Sequence, residues 1–305
     1  MDLGTLLSMV GSLGQYGKTM FRYKGLPLPI TIDSKLMDKI ENFTTRSDDV
    51  FIVGFPKSGT TWLQIALSKM YNNWGTCKRS KKGRVPLLDS PSLPGVEGFD
   101  KCLKAASPRL IKSHLPFDYF PKHAKSDDKE KRCKVIYVTR NPKDSCVSLF
   151  HMICGYQVLQ SDDRAWNKFT RDFIDGEVVY GSWLDHVISW RDNRDRVDVM
   201  FVTYEQMKAD FQTVLSTVAE FINRPVDDET IEKVTESCEF EELRQHGKDK
   251  VAIPKVFYDS KKAPFFRKGI VGDWKNHFTQ EQNDAFEERI EKVLKSKGVH
   301  LVYEI

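Results

Sequence analysis

The sequence predicts an α/β fold, a single domain over residues 1–305 with a central, mostly parallel sheet flanked by helices. Three observations carry that expectation. Short apolar runs without alternation recur at 49–55, 109–112, 134–139 and 197–203, the pattern of strands buried on both faces. Stretches of helical periodicity separate them. No repeat, low-complexity block or Gly/Ser-rich linker divides the chain.

The first strand, 49–55, runs into a glycine-punctuated turn. A helix then starts near Thr60, with Leu63, Ala66, Leu67 and Met70 at i, i+3, i+4 and i+7. The second strand, 109–112, is followed at once by Ser113 and His114. After the third, 134–139, Asn141 is a helix N-cap and Pro142 the first helical residue. The fourth, 197–203, precedes an apolar stripe of Met207, Phe211, Val214, Leu215, Val218 and Phe221, read as one helix. The last helix opens with a capping box at Thr279 and Gln282 and stops at Gly298. Residues 75–108 and 245–266 are rich in Lys, Gly and Pro and lack periodicity. They are expected as long loops, either binding lids or plain surface insertions. Residues 1–18 are expected as a flexible lead-in.

Composition excludes several classes. The 47 Lys+Arg against 43 Asp+Glu leave a charge of +4, too slight for a protein that coats nucleic acid or membrane. The longest apolar run, 50–55, falls far short of the ~20 residues of a membrane span. The first sixteen residues lack a basic start and carry Asp2, which disfavours secretion. Six cysteines at irregular spacing, with no CxxC pair, read as reduced thiols of a cytoplasmic protein without a metal site.

The informative segment is the turn from Gly54 to Thr61. A helix N-terminus offers unpaired N–H groups and a positive dipole end, so a strand–turn–helix of this kind suits phosphate. Gly54 and Gly59 bracket four residues, as in the GxxxxGK[ST] phosphate loop (P-loop). Yet Thr60 stands where that loop has its Lys, and the lysine here, Lys57, lies inside the turn. The turn is P-loop-like rather than a P-loop. The bland alternative is an ordinary capped βα turn.

Four segments, in order, resemble the cytosolic sulfotransferases that use 3′-phosphoadenosine 5′-phosphosulfate (PAPS). They are Phe55-Pro56-Lys57-Ser58-Gly59-Thr60-Thr61-Trp62, then Ile111-Lys112-Ser113-His114-Leu115-Pro116, then the stretch around Arg140-Asn141-Pro142-Lys143-Asp144, and finally Arg267-Lys268-Gly269-Ile270-Val271-Gly272-Asp273-Trp274-Lys275. The resemblance implies sulfuryl transfer from PAPS to a hydroxyl or amine of a small acceptor such as a phenol, alcohol or steroid, leaving 3′-phosphoadenosine 5′-phosphate (PAP). It implies no nucleic-acid or membrane partner.

By the same resemblance His114 is the general base, a role that suits a side chain titrating near working pH. Lys57 serves the leaving phosphate oxygen and Lys112 shares the charge of the transferring group. Ser58, Gly59, Thr60 and Thr61 hold the 5′-phosphosulfate. Arg140, Ser148, Arg267, Lys268 and Gly269 take the 3′-phosphate, and Trp62, Tyr204 and Phe240 the adenine. Ser237-Cys238-Glu239-Phe240 departs from the Thr-Ser-Phe usual in the family. The family's dimerising stretch is also altered. Its matching positions are Lys275, Thr279, Gln280 and Asp284, with Gln280 in place of Val, so a monomer or weak homodimer is expected. Phe21, Tyr23, Phe150, Tyr156 and the two long loops are expected to shape the acceptor pocket. A nucleotide kinase or triphosphatase, a silent nucleotide-binding protein and a secretory glycan sulfotransferase are the other readings.

Overall fold

Residues 20–71, 85–91, 98–125, 128, 132–156, 161–246 and 258–305 are described in the computed structural model. Residues 1–18 and much of the two expected long loops lie outside them. Among the described residues an antiparallel hairpin, β1 (Met20–Tyr23) and β2 (Leu26–Pro29), comes first and stands apart from the central sheet. Four strands form that sheet: β3 (Val50–Val53), β4 (Leu110–Ser113), β5 (Lys134–Thr139) and β6 (Asp198–Thr203). Their order is β4-β3-β5-β6 and all are parallel, as the continuous apolar runs require.

Side chains alternate between two cores, one on each face. Phe51, Val53, Ile111, Val135 and Tyr137 belong to one core, and Val50, Ile52, Leu110, Ile136 and Val138 to the other. The helix Thr60–Met70 buries Leu63, Ala66, Leu67 and Met70 in the second core. At the amino ends of the strands Arg109 and Asp49 form a fully buried pair, with Nε donating to Oδ1 at 2.7 Å. The guanidinium also reaches the carbonyl of Thr44 at 2.9 Å, so little of its charge is left unmatched.

Two expectations need correction. The stripe from Met207 to Phe221 is two helices, Tyr204–Ala209 and Phe211–Phe221, because Asp210 turns extended and caps the second by accepting from the N–H of Thr213. The stretch 75–108 is not all loop. It contains the helix Phe99–Lys104, and Leu87 bridges in parallel to Lys112 at the sheet edge. The last helix has its capping box at Thr279 and ends before Gly298, but it passes through a π-turn at Glu287–Glu291. Among the described residues no helix is long and apolar enough to cross a membrane.

Candidate active site

Register brings the predicted residues to one edge. Val53 pairs with both Ser113 and Tyr137, and Thr139 pairs with Thr203, so β3 and β4 finish level and β5 and β6 run two rungs further. The Gly54–Gly59 turn, His114, Arg140 and Tyr204 come directly after the four strand ends. Ligands of open parallel sheets collect at this carboxyl edge.

The turn after β3 holds two residues at positive φ, Lys57 at 73° and Gly59 at 101°. A Cβ on Gly59 would also come within 2.8 Å of the Tyr204 ring, so glycine is required there. Gly59 is the N-cap of the helix Thr60–Met70 and supplies no side-chain cap, which leaves the first helical N–H groups for an anion. Ser58 is buried, and its Oγ has no hydrogen-bond partner among the described residues.

Positive charge converges on this turn. Burial, then Arg140, Lys112 and Arg267, push Lys57 down to about 7. Burial likewise pushes Lys112 down to about 8, although Asp89 works the other way, and its Nζ lies 3.3 Å from Thr61 Oγ1. Arg140 donates to the carbonyl of Ile270 at 2.9 Å and stacks 4.2 Å above the Tyr204 ring, while its Nε stays buried without a partner among the described residues. Arg267 and Lys268 both bond Asp273, the latter at 2.6 Å, and the Nε of Arg267 is a further buried orphan. Burial raises the Asp273 carboxyl, but Lys268 and Arg267 outweigh it and hold the group well below the carboxylate range. Asp144 ties this basic turn to the helix Pro142–Gly155. It accepts from the N–H groups of Gly272 and Trp274 at 2.9 Å each, and from Nδ2 of Asn141.

The predicted aromatic residues lie between the Gly54–Gly59 turn and the basic turn at Arg267–Lys275. Trp62 donates Nε1–H to the carbonyl of Cys238 at 3.0 Å, packs one face on Phe211 at 4.4 Å, and meets Tyr204 edge-on at 5.7 Å. Phe240 covers Gly269 so closely that a Cβ there would lie 2.0 Å from the ring. Ser148 is half-buried two turns down the helix Pro142–Gly155, and Lys268 is exposed.

His114 comes directly after β4. Its Nδ1 lies 2.6 Å from the carbonyl of Gly54, which can only accept, so Nδ1 carries the proton and Nε2 presents its lone pair. Burial first, then Lys112 and Lys57, push the imidazole down to about 3, so it is neutral at working pH. Sequence reasoning missed the residues around it: Asp89, Tyr180, His186 and Phe265. Tyr180 packs edge-on against the His114 ring at 5.6 Å, and Phe265 lies 3.8 Å from the ammonium of Lys57. No motif marks these positions in the sequence.

A neutral imidazole next to a cationic phosphate turn, at the carboxyl edge of a parallel sheet, defines an α/β group-transfer enzyme. The sequence matches the family described as Sulfotransferase domain over residues 47–298. It is 37% identical over 269 residues to sulfotransferase 1C2 of Rattus norvegicus, covering 87% of this chain and 88% of that one. To sulfotransferase 1E1 of Bos taurus it is 37% identical over 261 residues, covering 84% and 86%. Mouse sulfotransferase SULT7A1, solved in complex with PAP, superposes with a TM-score of 0.75 at 31% identity, covering 92% of this chain and 95% of that one. A retinol dehydratase shares the fold, with a TM-score of 0.72 at 20% identity. The chain belongs to the sulfotransferase family.

Proposed function

We propose that this sulfotransferase transfers a sulfuryl group from PAPS to a hydroxyl or amine of a small acceptor, with His114 as general base. The observation that carries the reading is the convergence of Lys57, Lys112, Arg140 and Arg267, drawn from four separate segments, on one turn. The fit of a doubly anionic nucleotide is supported by the orphaned Ser58 Oγ and the orphaned Nε atoms of Arg140 and Arg267. It is supported further by the PAP complex of the mouse relative.

When bound, PAPS supplies the sulfuryl group: the acceptor oxygen bonds to sulfur as the sulfur–oxygen bond to the 5′-phosphate breaks, leaving PAP and one proton. His114 takes that proton on Nε2, the nitrogen left bare by the Gly54 contact. Lys57 and Lys112 stabilise the negative charge that grows on the leaving oxygen and the group in transit. Ser58, Thr60, Thr61 and the N–H groups of Gly59 and its helix hold the 5′ end. Arg140, Ser148, Arg267, Lys268 and Gly269 hold the 3′-phosphate, with Trp62, Tyr204 and Phe240 around the adenine. An aromatic acceptor is supported by Tyr180 beside the base and by Tyr156 and Tyr258, which meet edge-on at 5.0 Å. A cytoplasmic location is supported by the buried thiols Cys133, Cys146 and Cys238.

The test is transfer of labelled sulfate from PAPS to a panel of phenols, alcohols and steroids, with and without chelator. His114→Ala should lose at least ~100-fold in turnover while binding PAP as tightly as the parent. Full activity in that variant removes His114 as base, and dependence on a divalent ion favours phosphoryl chemistry.

A further inference from the structure

A carboxylate that no motif announces lies directly behind the proposed base. Asp89 is 1% exposed. Its Oδ1 accepts from the backbone N–H of His114 at 3.0 Å and its Oδ2 from the hydroxyl of Tyr180 at 2.6 Å, with the Ser113 side chain a third hydrogen-bond partner. The segment that delivers it is fixed as an extra edge to β4. There the N–H of Leu88 donates to the carbonyl of Lys112 at 2.8 Å, and the N–H of Lys112 to the carbonyl of Pro86 at 2.9 Å. On the far side of the same residue, His186 Nε2 donates to the carbonyl of His114 at 3.0 Å, and Tyr137 donates its hydroxyl to His186 Nδ1 at 2.7 Å. Both backbone groups of His114 are therefore held by side chains, and its ring is held by Gly54.

We propose that Asp89 is a positioning residue for His114, acting with Tyr180 to fix the imidazole so that Nε2 faces the acceptor. The inference rests on the reading of His114 as base. Burial, contact and conformation all support it. A carboxylate buried this deeply is costly, and an apolar side chain would fill the space at less cost if packing were the only need. Two of its contacts are to the base itself and to the tyrosine whose ring edges the base. That tyrosine also sits at φ +66°, a conformation unfavourable for a non-glycine residue and tolerated where the surroundings enforce it. The surroundings here include the hairpin, whose Pro27 carbonyl accepts from the N–H of Tyr180 at 2.7 Å.

Asp89→Asn keeps size and one acceptor but turns a donor toward groups that are themselves donors. With the phenol that the parent enzyme sulfates fastest, kcat should fall roughly 10- to 100-fold while KM for PAPS and Kd for PAP stay within about 3-fold. Tyr180→Phe should lower kcat less, and the double variant should be no worse than Asp89→Asn alone. Asp89→Glu should recover part of the loss. The charged and titratable groups facing this network are Lys112, His114, Tyr180 and His186, with Lys57 beyond His114. Loss of the Asp89 charge withdraws support from the Lys112 cation, so the alkaline fall of kcat should begin at lower pH in Asp89→Asn. A structural role alone would lower thermal stability and leave kcat per folded molecule and its pH profile unmoved, and that result overturns the proposal. Should Asp89→Asn fail to fold, Tyr180→Phe decides: unchanged kcat overturns the proposal. A parent enzyme that sulfates nothing from PAPS, or an active His114→Ala, sinks the underlying reading instead.

Discussion

Lys57 and His114 answer pH in opposite senses. As the proposed base His114 must be neutral, and burial with two neighbouring lysines holds it at about 3, so acidification to pH 5 does not protonate it. In the proposed roles Lys57 and Lys112 must be charged, and burial brings them down to about 7 and about 8 in the free protein. The profile of kcat/KM for PAPS should therefore be flat on the acid side down to about pH 5 and decline from about pH 7 upward. A limb near pH 6.5 that disappears in His114→Gln would contradict the first half. At this scale the Gly54–Gly59 turn and the Asn141 cap were legible from glycine spacing and capping chemistry, and the other candidate residues through the resemblance of their segments to the family. Asp89 and Tyr180 were not. One lies in a stretch without periodicity, and the other takes a left-handed conformation that its residue type does not signal.

Among the elements, the helix Pro142–Gly155 couples the sheet to the basic turn. Asn141 caps it by accepting from the N–H of Asp144, and Asp144 in turn holds the backbone of Gly272 and Trp274. Asp144→Ala strips charge-assisted hydrogen bonds from a buried site, at a cost on the order of 3 kcal/mol. It should lower Tm and also weaken PAP binding by calorimetry, because the turn carrying Arg267 loses its anchor. Unchanged PAP affinity would mean that the turn is held by its own Asp273 contacts. Strands were readable as unbroken apolar runs, and the capped helices by their first residues. The hairpin Met20–Pro29 was not, since its strands are four residues long and the second carries Pro27 and Pro29. The break at Asp210 was hidden by an apolar stripe that continues in phase across it.

For the molecule as a whole, the stretch matching the family's dimerising segment bonds to its own chain. Gln280 Nε2 donates to Asp284 at 2.7 Å, the Thr279 hydroxyl accepts from Gln282 N–H, and Lys275 pairs with Glu304 at 2.6 Å. We propose a monomer or weak homodimer, because Gln280 replaces an apolar Val at the centre of that segment. Sedimentation at low micromolar concentration should give the mass of one chain, and a tight dimer burying Gln280 would refute it. The buried Arg109–Asp49 pair lies at the opposite ends of the same strands, away from the site.

The stepped finish of the strands has a metric consequence. Neighbouring strands of a sheet lie about 4.8 Å apart. His114 leaves β4 and Arg140 leaves β5, one strand to either side of the Lys57 turn and with Arg140 two residues further along, so their anchor points are set roughly 12 Å apart by backbone spacing alone. The lattice constant of the sheet thus serves as a ruler laid across the donor, and lengthening the surface loops leaves its gradations unchanged.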